Sequence, residues 1–482
     1  MKKITSLLIL LVTFSLSIQA QESVTVEKDQ EGWKLLVDGE PFMVNGMNWD
    51  YFPRGTNYSY SLWNQPPEFI KNALDYEMGL LQNMGVNVIR VYSGIQPEWI
   101  TYIYENYGIY TMLNHSFGRY GLTIDGAWVA VTEYDDPRTM ELLMEEVTAE
   151  ARRYKDVKGL LLYLLGNENN YGLFWAGAET EDFPDADEER AFVGQTRGRP
   201  MYQLMNDAAV AMKAIDPSKP VAICNGDVLF LEHVVELAPD VDIFGVNTYR
   251  GETFTDMFDV IARDYDKPVL LTEFGVDAFN ARTLTEAQSE QAYVQKRNWQ
   301  DVYENAAGYG RANNSIGGFT FQFSDGWWKY GQTENLDVHD INASWANGGY
   351  QYDFAPGENN MNEEWFGITA KGPTNPFGYY ELFPRAAYYV LQEAHLYDVY
   401  ADDASISDLR MYFDAINVEG AALKARGDRA ALQGASVDII KLSQFTADFR
   451  TYSTGGERIT TPDDVDATSD EYPNQLGFDH FE

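Results

Sequence analysis

Short apolar segments alternate with longer amphipathic segments from about residue 40 to residue 395 of the chain. A short apolar run bounded by turns is typical of a strand buried on both faces, as the strands of a parallel sheet are. Alternation of such runs with helical patterns predicts repeated βα units, and eight of them predict an α/β fold, a closed (β/α)₈ TIM barrel. The eight predicted strands are residues 43–49, 86–92, 109–114, 160–165, 221–225, 243–248, 269–272 and 318–323.

Helical patterns fill the spaces between these strands. Segment 97–108 begins with a proline, repeats apolar residues at helical spacing and ends with a glycine. Segment 137–154 carries basic residues at its end, where the helix dipole favours them. Segments 201–215, 285–307 and 384–395 have a similar periodicity. We expect these segments to be the outer helices of the barrel, and their periodicity concerns packing alone.

Two connections are unusually long. One follows the fourth strand and runs to about residue 200, and the other follows the eighth strand and runs to about residue 383. Both are expected at the carboxyl ends of the strands, where long loops build substrate clefts. The second loop is rich in Gly, Asn, Trp and Tyr, which makes it the better candidate for a glycan-binding wall.

The chain is expected to divide into three parts. Residues 1–20 are typical of a secretory signal peptide, with Lys2 and Lys3 before an apolar run. Residues 21–398 are predicted to be the catalytic barrel. Residues 399–482 form a C-terminal extension of unassigned fold, with a helix-like, alanine-rich stretch from Ala421 onward.

The signal peptide predicts export to the periplasm or the exterior of the cell. No other apolar run approaches the length of a membrane-spanning helix, so no membrane insertion is expected. The single cysteine, Cys224, lies in the fifth predicted strand, which indicates a core position and excludes a disulfide framework.

Charge narrows the class of partner. The formal net charge is −39, which argues against nucleic acid and against anionic membrane surfaces as partners. It also disfavours a polyanionic glycan, because no cluster of Lys and Arg is evident. The simpler interpretation of the acidity is that it keeps the protein soluble. The aromatic content of 14% slightly favours carbohydrate binding, although large cores also use aromatic residues.

Two glutamates end predicted strands, Glu168 after the fourth and Glu273 after the seventh. A carboxylate at the C-terminal end of a barrel strand is poorly placed for packing and well placed for chemistry. Two such carboxylates are the machinery of a glycoside hydrolase. The structural alternative for each is a carboxylate that caps the next helix.

The contexts of these two glutamates resemble a known group of enzymes. Asn167-Glu168 and the segment 272–275 are similar to the motifs of clan A, the retaining β-glycosidases with a (β/α)₈ barrel. In that clan the acid/base follows strand four and the nucleophile follows strand seven. The resemblance covers roughly residues 38–395.

Two further resemblances lie within the clan and leave the family open. Segments 365–368 and 381–389 are similar to the end of family 2 barrels. Segment 90–93, with Ile109-Tyr110, resembles the β-1,3-glucan enzymes of families 72 and 17.

The clan resemblance implies roles for the residues of a double-displacement site. Glu273 would be the nucleophile and Glu168 the acid/base, with Asn167 on the 2-hydroxyl of the sugar. Arg90 and Tyr249 would hold Glu273 ionised and oriented. Arg90 as a structural ion-pair partner and Tyr249 as a packed ring are the alternatives.

Sugar contacts are expected from residues that follow other strands. Either Trp327 or Trp328 would stack under the sugar ring, while the other is expected to be core. Trp49 and Tyr92 are lesser candidates for stacking, and Asn247 is a candidate for binding substrate. No cofactor and no metal are expected, because no acidic residues have the spacing of a calcium loop.

The sequence therefore predicts an exported retaining β-glycoside hydrolase or transglycosidase. Its expected partner is a neutral oligo- or polysaccharide, with β-1,3-glucan as the first choice and β-mannan or a β-galactoside as the alternative. A second class of function, a non-catalytic glycan-binding barrel, stays open.

Overall fold

The computed structural model describes residues 22–92, 94–174, 187–280, 283–341, 362–402 and 404–433. Within them, eight parallel strands close into a barrel whose order follows the chain. Each strand overlaps one predicted strand, so the predicted (β/α)₈ TIM barrel is confirmed. The strands β1 to β8 are Val44–Asn48, Val88–Val91, Tyr110–His115, Leu160–Leu165, Val221–Gly226, Ile243–Asn247, Val269–Phe274 and Ser315–Thr320.

The strand β4 shows why the barrel strands are apolar throughout. All six of its residues are buried. Leu162 and Leu164 join the cluster inside the barrel, whereas Tyr163 and Leu165 join the larger cluster beneath the helices. Because alternate residues of a strand point to opposite faces, burial of both faces requires a continuous apolar run.

Helices surround this barrel. The segment 285–307 begins its helix late, because Thr285–Glu286 pairs with Phe279–Asn280 in a short hairpin. The helix of segment 97–108 ends at its predicted glycine, since Gly108 has a left-handed φ of 67° after the last helical residue. The helices α1 to α12 are Pro67–Asn83, Pro97–Tyr107, Pro137–Tyr154, Asn169–Gly172, Asp187–Val193, Arg199–Ile215, Leu231–Leu237, Met257–Asp264, Gln288–Glu304, Ala386–Ala394, Ile406–Ala415 and Val418–Gln433.

A small antiparallel sheet closes the amino-terminal end of the barrel. Its strands are Val24–Lys28, Trp33–Val37 and Glu40–Pro41. Val24 and Leu35 pack in one cluster with the first residues of β1 and β2. Only the opposite, carboxyl-terminal end of the barrel is therefore left for a site.

The long connection after β8 contains ordered structure of its own. Two strands, Thr369–Thr374 and Tyr380–Pro384, form an antiparallel hairpin before α10. The predicted helix-like stretch from Ala421 lies in α12.

Buried ion pairs attach α12 to the barrel. Arg385 donates to both oxygens of Asp325, at 2.7 and 2.8 Å, and to Glu286 at 2.6 Å. Arg429 of α12 donates to the two oxygens of Glu286 at 2.7 and 2.9 Å. Burial alone would raise the pKa of Glu286, but Arg429 and Arg385 outweigh it and hold that pKa well below its usual range. The first part of the C-terminal extension is thus tied to the barrel by charge as well as by packing.

Some predictions fall outside the described residues. They are the signal peptide at 1–20, Ser93 of the 90–93 segment, residues 175–186 and 342–361 of the two long connections, and residues 434–482 of the extension. Of the helices that the described residues form, none is long and apolar enough to cross a membrane.

Candidate active site

The two glutamates lie at the carboxyl end of the barrel, as their positions in the sequence predict. Glu273 belongs to β7, and Glu168 follows β4. Glu168 adopts a left-handed backbone conformation, with φ at 55° and ψ at 39°. A residue other than glycine is strained in this region, and such strain is concentrated at functional sites. The backbone N–H of Glu168 donates to the carbonyl oxygen of Cys224 at 3.0 Å, which anchors this conformation to β5.

Three hydrogen-bond donors converge on the carboxylate of Glu273. Arg90 Nη1 lies 2.8 Å from Oε1, and the hydroxyl of Tyr92 donates to the same oxygen at 2.7 Å. The hydroxyl of Tyr249 donates to Oε2 at 3.0 Å. The side chain of Glu273 is 9% exposed, so the little surface it keeps faces the site. A carboxylate that accepts three hydrogen bonds, one of them from a guanidinium, is held in one orientation.

Arg90 connects this carboxylate to the rest of the site. Its guanidinium is fully buried and donates to Asn114 Oδ1 at 3.0 and 2.7 Å and to Asn167 Oδ1 at 2.8 Å. It also donates to the carbonyl oxygen of Thr272 at 3.1 Å. The planar fork of an arginine can satisfy several acceptors at fixed angles, which a lysine could not do.

A network of side chains fixes the orientation of the Asn167 amide. Its Oδ1 accepts from Arg90 and, at 3.0 Å, from Asn247 Nδ2. The Asn247 Oδ1 in turn accepts from the hydroxyl of Thr272 at 2.7 Å. The Asn167 Nδ2 is therefore directed away from Arg90, and it donates to the hydroxyl of Tyr120 at 2.8 Å.

The sole cysteine lies inside this network. Cys224 Sγ is 3.2 Å from Asn247 Oδ1 and 3.3 Å from the hydroxyl of Thr272. Burial raises the pKa of the Cys224 thiol to about 11, although Arg90 opposes the shift. The thiol is thus protonated at neutral pH and acts as a weak donor in the network.

Both glutamates raise the pKa of the Tyr249 hydroxyl. Burial raises the pKa of Tyr249 well above its ordinary value, and the carboxylates of Glu273 and Glu168 raise it further. Burial does the same to the pKa of Tyr92, where Arg90 opposes it and Glu273 adds to it. Both tyrosines therefore remain protonated donors, and the two glutamates lie within electrostatic reach of one phenol.

A second set of charges lies beside these carboxylates. The ammonium of Lys329 is 4.7 Å from the centre of the Trp328 ring and 5.5 Å from that of Phe321. Burial would lower the pKa of Lys329, but Glu363 and Asp50 outweigh it and the net shift is upward. Lys329 therefore stays charged near the carboxylates of Glu363 and Asp50. This part of the site offers hydrogen-bond donors and acceptors together.

The structure brings six of the predicted residues into one network: Arg90, Tyr92, Asn167, Asn247, Tyr249 and Glu273. Glu168 is linked to this network through Asn167, its neighbour in the chain. The Oε2 of Glu168 lies 4.0 Å from Arg119 Nη2. The role of each residue stays a prediction.

The predicted tryptophans lie in three different surroundings. Trp49 is buried, and its indole N–H donates to Glu77 Oε2 at 2.7 Å. Trp327 is also buried and stacks on His339 with ring centres 4.6 Å apart. Trp328 is half-buried and packs edge-on against Phe52, at 5.4 Å between ring centres. Of the three, only Trp328 keeps substantial surface beside the charged groups of the site.

Several residues of the site are absent from the sequence prediction, among them Asn48, Asn114, Tyr120 and Lys329. Asn48 is the last residue of β1 and Asn114 is the residue before the last of β3, and both are buried. That pattern could have indicated them. The sequence predicts that the ring of Tyr92 stacks on the sugar. It does not predict the contact that the hydroxyl of Tyr92 makes with Glu273.

Across the described ranges of the chain, no group of three or more His, Cys, Asp or Glu side chains is placed to hold a metal ion.

Comparisons with known proteins give similarity only at the level of solved structures. No protein-family model matches the chain, and no curated protein matches it. One similar structure is a GH2 β-galacturonidase from Eisenbergiella tayi, with 15% identity and a TM-score of 0.47, over 80% of this chain and 55% of that one. Another is a β-glucuronidase from Bacteroides uniformis, with 12% identity and a TM-score of 0.48, over 77% of this chain and 37% of that one. The chain thus spans about half or less of the length of these proteins.

Proposed function

We propose that this protein is a retaining β-glycosidase that acts by double displacement, as a hydrolase or a transglycosidase. The observation that carries the proposal is the convergence of Arg90, Tyr92 and Tyr249 on the carboxylate of Glu273. A nucleophilic carboxylate must be aimed at the reacting carbon, and three donors on its two oxygens fix its orientation. Glu168, on a strained strand end nearby, is the matching acid/base.

In the first step, a carboxylate oxygen of Glu273 attacks the anomeric carbon of the sugar. The bond from that carbon to the leaving oxygen breaks, and the leaving oxygen takes the proton of Glu168. A glycosyl ester of Glu273 and an ionised Glu168 result. In a retaining site the two carboxyl groups lie about 5 Å apart, which is the separation that this step requires.

In the second step, Glu168 removes a proton from a water molecule or a sugar hydroxyl. The oxygen of that acceptor attacks the anomeric carbon, and the bond to Glu273 breaks. Both glutamates then return to their starting states. Asn167, beside Glu168 in the chain, is suited to bind the 2-hydroxyl of the sugar, because its amide is fixed by Arg90 and Asn247.

The charges of the site favour a neutral sugar. Lys329 alone would attract a sugar that carries a carboxylate, but the ammonium of Lys329 already interacts electrostatically with Asp50 and Glu363. A sugar hydroxyl can accept from the ammonium while its neighbour donates to a carboxylate. Within neutral glycans, the resemblance of segment 90–93 makes β-1,3-glucan the first choice. A β-mannan or a β-galactoside is the alternative within the same mechanism.

A non-catalytic glycan-binding barrel is the other class of function. A binding protein has no need of a carboxylate that three donors hold in one orientation at the centre of the site. It would also gain nothing from a second glutamate in a strained conformation. We therefore favour the enzyme.

The test of the enzyme proposal is Glu273→Gln, which preserves the shape of the side chain and removes the nucleophile. Turnover of a laminari-oligosaccharide, followed by mass spectrometry of the products, should fall by at least 10³-fold, while binding measured by calorimetry remains. Glu252→Gln is the matched control, since Glu252 is an exposed carboxylate on the loop after β6. Retention of activity in Glu273→Gln would contradict the assignment of the nucleophile.

Glu168→Gln tests the acid/base separately. It should strongly lower the rate of the first step for an oligosaccharide. For an aryl glycoside whose leaving group is an acidic phenol, the rate should fall only weakly, because such a leaving group needs no proton. The wild-type rate should follow a bell-shaped pH profile. Products longer than the input would indicate transglycosylation, and shorter products alone would indicate hydrolysis. No reaction on laminari-, manno- and galacto-oligosaccharides would argue for the binding protein.

A further inference from the structure

A hairpin after β3 carries two exposed aromatic side chains. Its strands are Leu122–Ile124 and Ala127–Val129. Trp128, on the second strand, is 63% exposed, and Tyr120, just before the first strand, is 42% exposed. Large aromatic residues with this much exposure next to a polar site are typical of a binding surface.

The Trp128 ring lies against the backbone that directly follows Tyr120. Gly121 separates Tyr120 from the first strand of the hairpin, and a Cβ at Gly121 would come within 2.5 Å of Trp128 Cζ2, so any larger residue there would displace the indole. The indole is therefore held one residue away from Tyr120 along the chain. We name Tyr120 and Trp128 the aromatic platform.

Hydrogen bonds join the platform to the acid/base side of the site. The hydroxyl of Tyr120 accepts from Asn167 Nδ2 at 2.8 Å, and Asn167 directly precedes Glu168. Arg119, whose guanidinium carbon lies 5.2 Å from the centre of the Tyr120 ring, has its Nη2 4.0 Å from Glu168 Oε2. The donors that hold Glu273 are instead on β2 and after β6. Tyr120 therefore adjoins Glu168 through both of its chain neighbourhoods, Asn167 beside Glu168 and Arg119 beside Tyr120.

The side of the site that carries the acid/base is also the side of the leaving group. Glu168 must reach the oxygen that links the reacting sugar to the rest of the substrate. Whatever lies beyond that oxygen extends past Glu168, toward the platform. The apolar C–H face of a sugar ring packs well on a flat aromatic ring, and such a contact discriminates little between neutral sugars.

We propose that the aromatic platform binds the leaving-group sugar of an oligosaccharide and, after that sugar departs, the incoming acceptor sugar. The ligand class is a neutral glycosyl unit of a β-glycan. This inference rests on the proposed retaining function. It makes Trp128 a residue that determines preference for oligosaccharides over substrates with small leaving groups.

The test compares two substrates in wild type and Trp128→Ala. A laminari-oligosaccharide has a sugar as its leaving group, whereas a β-glucosyl fluoride has only fluoride. The kcat/KM of Trp128→Ala should fall about tenfold on the oligosaccharide and stay within about twofold on the fluoride, as loss of one aromatic contact of about 1.4 kcal/mol requires. Trp128→Phe keeps an aromatic ring and should recover part of the loss.

The control variant is Leu396→Ala, which removes a side chain that is 70% exposed. Leu396 follows α10 beside His395, and His395 packs over Gly85 just before β2, at the opposite end of the barrel. This variant should leave both substrates unaffected. An equal loss on both substrates for Trp128→Ala would make Trp128 structural, and no loss on either would remove it from the path of the leaving group. Either result overturns the proposal.

A measurement of binding distinguishes failure of the platform proposal from failure of the enzyme proposal. Titration calorimetry with laminari-, manno- and galacto-oligosaccharides would measure affinity for wild type and for Trp128→Ala. Weaker binding by Trp128→Ala, in a protein without turnover, would show that Trp128 contacts glycan but would refute the enzyme and, with it, the role in binding a leaving group. Turnover with the same kinetics in both proteins would refute the platform alone. Absence of binding of all three oligosaccharides to the wild type would overturn the platform as well.

Discussion

Arg90 Nη1 lies 2.8 Å from Oε1 of Glu273, and this contact crosses the interior of the barrel. Arg90 lies on β2 and Glu273 on β7, with β8 and β1 between them in the closed sheet. Because the guanidinium is fully buried, it cannot exchange this partner for water. The ion pair therefore has two functions, since it orients the carboxylate and joins two distant strands.

Replacement of Arg90 should separate these two functions. Arg90→Lys keeps the charge and loses the fork that binds Glu273, Asn114 and Asn167 together, so kcat should fall about 10²-fold. Arg90→Met leaves Glu273 buried without its cation, and the free energy of unfolding should fall by about 3 to 5 kcal/mol. Steady-state kinetics and urea denaturation measure the two effects. Full activity in Arg90→Lys would show that charge alone suffices.

The fold was predictable because its signal is local. The eight apolar runs are short, separate and buried on both faces, so each one indicates its strand without knowledge of the others. Glu168 and Glu273 were visible for the same reason, as carboxylates directly after such runs. The helix α1 was also readable, since Ile70, Leu74 and Met78 repeat at helical spacing and are buried, yet it is missing from the predicted helices.

The contacts of the site were only partly predictable because they are long-range. Arg90 and Glu273 are 183 residues apart, and Asn247 and Asn167 are 80 apart. Position at a strand end predicts that such side chains share one end of the barrel, but not which atoms meet. The surroundings of Trp327 depend on His339 and Arg54, which come from two different loops. No periodic pattern in the sequence predicts that these side chains stack on Trp327.

Glu77 should give the protein a pH-dependent stability. Burial raises the pKa of Glu77 to about 7, although the indole of Trp49 opposes the shift. The folded state then holds a proton that the unfolded state releases above its ordinary pKa of 4.5, so stability falls as the pH rises from about 4.5 to about 7. At 1.36 kcal/mol for each unit, the fall is about 3 kcal/mol.

Glu77→Gln should remove this contribution, because the amide oxygen can still accept from Trp49 and does not ionise. Urea denaturation at pH 5 and pH 8 should show a smaller difference for Glu77→Gln than for wild type. Glu141→Gln, on the exposed face of α3, is the control and should keep the wild-type difference. An unchanged difference in Glu77→Gln would mean that Glu77 is ionised in the folded state.

Arg429 should anchor α12 to the barrel. Arg429→Met removes one of the two cations on buried Glu286, and the free energy of unfolding at pH 7 should fall by about 3 kcal/mol. Arg263→Met is the control, because Arg263 and its partner Asp264 are both largely exposed, and such an ion pair is worth less than about 1 kcal/mol.

The effect of Arg429→Met should depend on pH. Because the pKa of Glu286 is held below its usual range, its ion pairs contribute stability above about pH 4.5 and lose it as the pH falls. The difference between wild type and Arg429→Met should therefore shrink between pH 7 and pH 3.5. Equal losses for Arg429→Met and Arg263→Met would contradict the anchoring role.

Cys224 should be unreactive in the folded protein. Its thiol is buried, and with a pKa of about 11 only about one molecule in 10³ carries a thiolate at pH 8. A chromogenic disulfide reagent should therefore detect no thiol in the native protein, and one thiol for each chain in guanidinium chloride, since the chain has a single cysteine. Rapid modification of the native protein would contradict the burial of β5.

Substitution of Cys224 should show whether the thiol supports the amides of the site. Cys224→Ser places a stronger donor near Asn247 Oδ1, where Sγ now lies at 3.2 Å, and should keep kcat within about fivefold. Cys224→Val offers no donor and puts a branched side chain against the amides of Asn247 and Asn167. Its kcat should fall by at least about tenfold, as loss of one buried hydrogen bond near the reacting groups requires. Equal activity in the two variants, measured on the same oligosaccharide, would show that the thiol only fills space.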